Sequence, residues 1–517
     1  MIMIGDDMYE CFRAEVRDGF YVDGMMKRAW AAQMQELKKF DVICRKHGIR
    51  WYADWGTLLG AVRHHGFIPW DDDIDVCMLR DDYQKFKSIM YDEYPPDYAI
   101  ICYDAKNPAY RKWDNLTRVM TGLQMRTDRA YLDSHFQCPY PAGLDIFPLD
   151  FIPDDPEECR QYHDLCTIIY TAMNPESGWD SLPDEQKTGL INAVETVTGY
   201  HFDADADIRM QIYRLGDAIF SMYHRDECSR VVMMGYSLPR GGYVCQKSWF
   251  EEEHYLPFED MEIPVPSDTD TYLRIEFGEG YMVQNRGSYG HGYPFYGEAE
   301  QKYISQFSTD PFYYHASVSD IPEPAEDMDR NRKVLFVIPH ASDWKHMIPY
   351  YGRLVAEGAD ISVMPIPFYD IDFYHEHIQE NYEYEYFPDE LPLVRYDETD
   401  IEAEAYDEIL ISFPYDQYNY TEDIDGEYYV SSLRERTGHL TYISPIVTDD
   451  SQAASMRDQT AMRHYVMTPG VVLSDTVYVQ SEKMKESYIQ RLCELVEGDE
   501  EVISKIFLKK IHTGVNK

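Results

Sequence analysis

The spacing of apolar residues near the N-terminus predicts a helix followed by short strands. Residues 50–53 and 57–63 predict a short strand and a short helix, and residues 73–78 alternate between acidic and apolar side chains as a half-buried strand does. A helix over residues 25–46 is predicted by apolar residues at helical intervals, namely Trp30, Met34, Leu37, Phe40 and Cys44. These elements favour an α/β or α+β domain.

The alternating segment carries two acids on one face. Asp73 and Asp75 are two residues apart, so in an extended strand their Cα atoms lie about 6.5 Å apart and their carboxylates project from the same face. Like charges this close resist joint ionisation unless a cation lies between them. The pattern therefore predicts a metal site, with a solvated acidic turn as the alternative. Asp71 and Asp72 are interpreted as orienting the turn.

The pattern of apolar and polar residues changes after residue 153. Residues 154–234 are predicted to be mostly helical, and residues 317–332 are acidic with two prolines, as in a linker. Beyond the linker, apolar strands alternate with helical stretches, which predicts a doubly wound parallel α/β sheet. Its predicted strands are residues 334–338, 361–364, 409–413, 440–443 and 477–479. The predicted organisation is a catalytic domain over 1–316, a linker over 317–332 and a Rossmann-like domain over 333–517.

Composition narrows the classes of partner and compartment. The chain has 93 acidic and 47 basic residues, for a net charge of −46, which argues against nucleic acid or an anionic lipid surface as a partner. Its ten cysteines form no CxxC pair, and no stretch reaches the length of a membrane span, which favours a cytoplasmic protein. The 45 tyrosines fit either carbohydrate-facing clefts or packing at the edge of the core.

Residues 56–76, GTLLGAVRHHGFIPWDDDIDV, resemble the LicD family of phosphotransferases, which includes the fukutin-related proteins. His65 stands where that family more often has glycine, and the resemblance continues through GLDIFPLD at residues 143–150. It implies a nucleotidyltransferase-like α+β domain with a helical insertion. The segments VLFVIPHASDW, PIPFYD and FPYDQYNY resemble the N-terminal half of the GT-B-like fold of CDP-glycerol glycerophosphotransferases. The sequence ends about one helix after residue 479, so only this first half of the fold is expected.

The resemblance implies roles for three carboxylates. Asp73 and Asp75 correspond to ligands of Mg²⁺, with Mn²⁺ as the alternative metal. Asp145 is the third carboxylate, and it either completes the metal site or takes the proton from the acceptor hydroxyl. An acid flanked by Leu144 and Ile146 on a buried strand is normally paired or metal-bound, although a surface-edge aspartate is the alternative.

Further residues are expected to bind the substrate. Gly56 and Thr57 resemble the superfamily's phosphate-binding turn, and Arg63 is placed to clamp a phosphate oxygen or to pair with a nearby aspartate. Asp54 is expected either to bind the substrate's sugar or alcohol or to cap the following helix. Arg118 stands where the family tends to have a basic residue.

The implied activity is a Mg²⁺-dependent transfer of phosphocholine, glycerol phosphate or ribitol phosphate from a CDP-alcohol donor. The acceptor is a sugar hydroxyl of a glycan or lipid-linked glycan, such as teichoic acid or lipopolysaccharide, and CMP is released. The alternatives are a nucleotidyltransferase that makes an activated precursor and a non-catalytic glycan-binding scaffold. The expected location is the cytoplasm or the inner membrane face. A structural or acceptor-recognition role is expected for Asp343, Tyr369, Asp370 and Asp416 in the second domain.

Overall fold

A computed structural model describes residues 10–238, 244–287, 292–322 and 332–514. The strands in chain order are β1 (Glu15–Arg17), β2 (Phe20–Val22), β3 (Tyr52–Ala53), β4 (Asp75–Leu79), β5 (Ala99–Ile101), β6 (Thr117–Met120), β7 (Gly143–Ile152), β8 (Arg230–Val232), β9 (Cys245–Gln246), β10 (Tyr255–Phe258), β11 (Met261–Pro264), β12 (Lys333–Ile338), β13 (Asp360–Pro365), β14 (Phe368–Ile371), β15 (His377–Asn381), β16 (Glu408–Ile411), β17 (Glu422–Ile424), β18 (His439–Ile443), β19 (Thr476–Val479) and β20 (Ile511–Thr513).

The helices complete the fold. In chain order they are α1 (Gly24–His47), α2 (Trp55–Arg63), α3 (Arg80–Glu93), α4 (Arg129–Ser134), α5 (Pro156–Met173), α6 (Asp184–Thr198), α7 (Ile208–Phe220), α8 (Met234–Ser237), α9 (Thr269–Phe277), α10 (Gly297–Ile304), α11 (Trp344–Glu357), α12 (Ile401–Glu404), α13 (Val430–Arg434), α14 (Met456–Val466), α15 (Pro469–Leu473), α16 (Glu482–Leu495) and α17 (Glu500–Lys510). Among the described residues, none of these helices has the length and apolar character needed to cross a membrane.

The chain divides into two compact units. Within the described residues, the first unit comprises 29–126 and 140–284, and the second comprises 10–28, 127–139 and 285–514. The predicted linker does not coincide with this division, because residues 285–316 already group with the C-terminal sheet. Its residues 317–322 include a short 3-10 helix, whereas 323–331 lie outside the described residues. Domain limits at 316 and 333 therefore stay a prediction.

The first unit is built on a mixed sheet in the order β3-β4-β7-β6-β5, with β8 and β9 added beside β7. β4 and β7 are parallel, and β6 runs antiparallel to β7. Val76 and Ile146 pair in register on one face of this sheet, and both are fully buried. The pleat therefore turns the neighbouring acids of β4 and β7 to the other face.

Most local predictions for this unit are confirmed, but the strand predicted over 73–78 begins only at Asp75, so Asp73 lies in the segment before it and not on the strand. The helix predicted over 25–46 is α1, and the short helix predicted over 57–63 is α2, which begins two residues earlier. Phe40 of α1 packs edge-on against Trp51 and Phe86, with ring centroids 5.5 and 5.4 Å apart. The region predicted to be helical, 154–234, contains α5, α6 and α7, which share a hydrophobic core.

The second unit contains a six-stranded, all-parallel sheet in the order β13-β12-β16-β18-β19-β20. All five strands predicted from the sequence are present, so the Rossmann-like prediction is confirmed. The sixth strand, β20, and the separate antiparallel sheet of β15, β14 and β17 were not predicted. Strands are added on opposite sides of β12, so the carboxyl ends of β12 and β16 flank the switch point of the sheet, where such folds bind ligands.

The four residues expected near strand ends of the second unit are found in two places. Asp343 follows β12, and Asp416 follows β16, where it accepts a hydrogen bond from the Val430 N–H (2.6 Å). Tyr369 and Asp370 instead lie within β14 of the antiparallel sheet. The Tyr369 hydroxyl donates to Asp425 (3.1 Å), so this strand is tied to the loop after β17.

A buried lysine near the C-terminus gives the second unit a testable pH dependence. The Nζ of Lys510 donates to the Val472 carbonyl (2.6 Å), and burial lowers the pKa of Lys510 from 10.5 to about 7. Between those two values the unfolded chain binds more protons than the folded one, so the free energy of unfolding should rise with pH. Lys510→Met should abolish that rise and stabilise the protein below the window by a few kcal/mol, about 1.4 per pKa unit removed.

Denaturant titrations below, within and above this pH window check the expectation. Lys505→Met is the matched control, because Lys505 lies on the same helix with its side chain 67% exposed. A pH slope unchanged by Lys510→Met would contradict the assignment.

Candidate active site

Three charged side chains form a row across adjacent strands of the first unit. Asp75 begins β4 and pairs in register with Asp145 of β7, which in turn pairs with Arg118 of β6. Because register partners project from the same face of a sheet, the two carboxylates and the guanidinium lie side by side. The Nε of Arg118 donates to Asp145 (3.0 Å) and its Nη1 donates to Asp114 (2.5 Å). The structure thus brings together Asp75, Asp145 and Arg118.

The start of helix α2 is fastened to the same strand. The Thr57 hydroxyl accepts a hydrogen bond from the Asp75 N–H (2.8 Å), and the Asp54 N–H donates to the Asp75 carbonyl (3.1 Å). Asp54 is fully buried and caps α2 by accepting from the Trp55 N–H (2.9 Å), as the N-cap alternative proposed. The first turn of α2, including Gly56, therefore lies against the carboxylates, and its N–H groups have no acceptor within the helix.

The acidic run before β4 folds into a compact cluster. In the part of the chain that the structure describes, Asp71, Asp72 and Asp73 each offer a carboxylate oxygen within 4.8 Å of the others. A Cβ added to Gly56 would overlap the carboxylate of Asp71, so a larger residue here would force either that side chain or the turn of the helix to shift. Oxygen atoms gathered from several carboxylates are ligands that suit a hard divalent cation. The residues present fit such an ion, and this cluster consists of Asp71, Asp72 and Asp73, whereas the sequence pointed to Asp73, Asp75 and Asp145.

The carboxylates strongly affect one another's protonation. Burial raises the pKa of Asp75 well above its ordinary value, and the charges of Asp73 and Asp145 raise it further. Burial also raises the pKa of Asp145 to about 6, although the neighbouring Arg118 opposes that shift. Crowded, partly buried acids of this kind are costly unless a cation joins them. Strong perturbation in such a cluster is typical of functional sites.

Arg63 lies at the far end of α2. Its Nη1 donates to the Tyr281 carbonyl (3.1 Å), and its guanidinium lies 5.8 Å from the centre of the Trp70 ring. These contacts hold the loop that follows α9 against α2. A phosphate contact by Arg63 stays a prediction, as do the substrate roles of Asp54, Gly56, Thr57 and Arg118.

Aromatic rings adjoin the carboxylates. Phe147 follows Asp145 by two residues on the same face of β7, and its ring lies 5.3 Å from that of Tyr236. Trp55 packs against Tyr236 at 5.9 Å and against Phe277 at 6.3 Å. Trp55, Tyr236 and Phe277 are each only partly buried, so this aromatic cluster presents ring surface beside the acidic row.

Glu276 on α9 is a buried acid near the site that was not predicted from the sequence. Burial, reinforced by the charge of Asp54, raises the pKa of Glu276 well above its ordinary value, and burial raises that of Asp54. The Tyr272 hydroxyl donates to Asp54 (2.9 Å), which ties α9 to the start of α2. The shared burial of the two carboxyl groups therefore favours their protonated forms. Glu276 lies some 200 residues beyond the acidic motif, and no local pattern distinguishes it.

Part of this site lies in a region of the chain that matches a known protein family. Residues 48–118 match the family described as LicD/FKTN/FKRP, nucleotidyltransferase domain, so the N-terminal region carries a LicD-type domain. The chain is 34% identical over 137 residues to the lipopolysaccharide cholinephosphotransferase LicD of Haemophilus influenzae. That alignment covers 26% of this chain and 45% of the Haemophilus protein, so the chain spans less than half of the relative's length.

Two shorter matches are uncharacterised proteins of Rickettsia. The protein from Rickettsia typhi is 41% identical and that from Rickettsia prowazekii 39% identical, each over 56 residues. Each alignment covers 11% of this chain, with 18% and 21% of the respective Rickettsia proteins. Asp75 and Arg118 lie inside the residues that match the family, whereas Asp145 lies beyond them.

Proposed function

We propose that this protein is a metal-dependent phosphotransferase that moves an alcohol phosphate from a CDP-alcohol to a sugar hydroxyl of a cell-surface glycan. The observation that carries the proposal is the row of Asp75, Asp145 and Arg118 beside the Asp71–Asp73 cluster, within a LicD-type domain. Clustered carboxylates next to a helix N-terminus suit a substrate that brings both a cation and phosphates.

Asp73 and Asp75 would hold the divalent cation, Mg²⁺ or Mn²⁺, with Asp71, Asp72 and Asp145 as neighbouring donors. When bound, the ion supplies positive charge that neutralises the diphosphate of the donor. The first turn of α2 at Gly56 and Thr57 would direct N–H dipoles at a phosphate oxygen, and Arg63 would add a charged contact.

Asp145 is proposed to accept the proton of the acceptor hydroxyl. Its hydrogen bond from Arg118 fixes the orientation of the carboxylate, and its pKa of about 6 leaves it ionised yet basic near neutral pH. Arg118 is then a positioning residue that acts through Asp145. If it also contacted a phosphate of the donor, it would bind the substrate as well.

The aromatic cluster favours phosphocholine among the alcohol phosphates. Aromatic faces attract quaternary ammonium groups, whereas glycerol and ribitol carry no positive charge. Tyr236→Leu should therefore raise the KM for CDP-choline by about tenfold, from an interaction of about 1–2 kcal/mol, and change that for CDP-glycerol far less. Tyr236→Phe retains the ring and is the matched control. Equal losses for both donors would contradict a role in choline recognition.

Product analysis tests the reaction class. Purified protein, Mg²⁺, a CDP-alcohol and a glycan acceptor should release CMP, and the acceptor should gain the mass of the alcohol phosphate. Pyrophosphate released from CTP with an unchanged glycan would instead identify a nucleotidyltransferase. Glycan binding without turnover of any CDP-alcohol would indicate the non-catalytic scaffold.

We further propose that the second unit recognises the acceptor. Its likeness to half of a GT-B-like fold stays a prediction.

A further inference from the structure

Helix α9 and the loop after it contact helix α2 at both of its ends. At the start of α2, the Tyr272 hydroxyl donates to Asp54, the residue that caps the helix (2.9 Å). At the other end, the Nη1 of Arg63 donates to the Tyr281 carbonyl (3.1 Å). We call residues 269–281 the α9 brace, because this one segment is joined to both ends of α2.

The α9 brace is held to the body of the first unit independently of α2. Tyr272 and Leu273 are fully buried, and the Tyr272 ring packs edge-on against Phe250 with ring centroids 5.8 Å apart. The loop is fastened back to the start of α9, because the Tyr281 hydroxyl donates to Asp270 (2.8 Å). The brace can therefore act as a fixed support against which α2 is placed.

Asp54 joins the brace to the proposed metal site. One of its carboxylate oxygens, Oδ1, accepts from both the Tyr272 hydroxyl and the Trp55 N–H, at 2.9 Å each. The backbone N–H of Asp54 donates to the Asp75 carbonyl (3.1 Å). A shift of Asp54 would therefore move the start of α2 and the start of β4 together.

The hydrogen bond from Tyr272 to Asp54 has no ready substitute. Both side chains are fully buried, so bulk water does not reach the carboxylate. The carboxyl group of Glu276, one turn further along α9, also hydrogen-bonds to Asp54. Buried polar contacts cost free energy to desolvate, so two of them at one residue indicate that its position is specified by more than apolar packing.

We propose that Tyr272 is a positioning residue for the transfer reaction, which acts through Asp54 on the start of α2 and on Asp75. Tyr272 is fully buried, so it serves the reaction through these residues and not by contact with a substrate. The hydrogen bonds carry the claim about position, whereas the claim about transfer rests on the proposed function.

Tyr272→Phe tests the claim about position in the full-length protein. The substitution removes the hydroxyl and keeps the ring that packs against Phe250. Amide hydrogen exchange over residues 55–63 should become about tenfold faster, as expected for the loss of one buried hydrogen bond, while exchange over α5 stays unchanged. The Mg²⁺ concentration that gives half of the maximal thermal stabilisation should rise about tenfold, because Asp75 is held less firmly.

The same variant tests the claim about transfer. With CDP-choline and a glycan acceptor, turnover by Tyr272→Phe should fall about tenfold, and higher Mg²⁺ concentrations should restore part of it. The loss should be smaller than the roughly hundredfold effect of a 1 Å displacement, because the ring still anchors the brace. A merely structural role would lower the unfolding temperature without changing the Mg²⁺ requirement.

Tyr162→Phe is the matched control. Tyr162 is a buried tyrosine of the same unit on α5, and its hydroxyl donates to the carbonyls of Ile219 (3.0 Å) and Phe220 (2.9 Å). Each variant loses a buried hydroxyl contact, so each should unfold about 2–4 °C below wild type. Tyr162→Phe should speed exchange over α5 and leave exchange over 55–63, the Mg²⁺ requirement and turnover unchanged.

Unchanged exchange over 55–63 in Tyr272→Phe would overturn the inference, because the hydroxyl would then not hold α2. Wild-type turnover with a wild-type Mg²⁺ requirement would also overturn it, as would an equal loss of turnover in Tyr162→Phe. If the wild-type protein turns over no CDP-alcohol, the proposed function fails. The exchange and Mg²⁺ measurements need no turnover, so they still decide whether Tyr272 positions the site.

Discussion

Replacing Asp75 by Asn is expected to lower the rate of transfer by about two to three orders of magnitude while the protein stays folded. Asp75 starts β4 and is close enough to Asp73 and Asp145 for their charges to raise its pKa, and the substitution removes one of the proposed metal ligands from this preorganised group. The backbone contacts of Asp75 with Thr57 and Asp54 do not involve its carboxylate, so the strand and the start of α2 should be retained.

The same variant should raise the stability of the metal-free protein at neutral pH. The pKa of Asp75 is raised in the folded state, so the folded chain binds its proton more tightly, and stability is lost as pH rises through that pKa. Asn carries no charge, so the gain over wild type should shrink as pH falls and Asp75 becomes protonated. Thermal unfolding at neutral and acidic pH, with and without Mg²⁺, measures this difference.

Asp92→Asn is the control for Asp75→Asn, because Asp92 is an exposed acid of the same unit on α3. It should change neither turnover nor the stabilisation by Mg²⁺. Turnover near the wild-type rate in Asp75→Asn would remove Asp75 from the metal site. An unchanged response to Mg²⁺ would do the same.

The spacing of apolar and acidic residues was enough to predict the helices and strands on which the site residues lie. The helices α1 and α2, the strand after the aspartate run and the parallel strands of the second unit follow from spacing that neighbouring residues determine. A buried acid on an apolar strand must be compensated, so the sequence indicated that Asp145 is paired or metal-bound, and the structure pairs it with Arg118.

Long-range pairing could not be predicted in the same way. The register that aligns Asp75, Asp145 and Arg118 depends on which strands become neighbours, and no local spacing specifies that β6 pairs with β7. The grouping of residues 10–28 and 127–139 with the C-terminal sheet is likewise a matter of tertiary contacts. Glu276 and the aromatic cluster are brought to the site by α9 and by the segment around Tyr236, far along the chain.

Gly56→Ala is expected to lower activity by about a hundredfold, because a misplacement of about 1 Å at a reacting centre costs that much. Gly56 occupies the first turn of α2, and a Cβ there would overlap the carboxylate of Asp71. Either Asp71 moves out of the acidic cluster or the turn of α2 shifts away from β4, and both disturb the proposed metal and phosphate positions. Steady-state turnover and Mg²⁺ titration by thermal shift measure the effect.

Gly189→Ala is the matched substitution. Gly189 is also a helical glycine of the first unit, on α6, and a Cβ added there meets nothing within 4 Å. Because alanine is favoured over glycine in a helix, this variant should be more stable by up to about 1 kcal/mol, with unchanged turnover. Full activity and an unaltered Mg²⁺ response in Gly56→Ala would mean that the approach of Asp71 to the α2 turn has no part in the reaction. A loss of activity shared by both variants would point to a general effect of alanine and not to the crowding at Asp71.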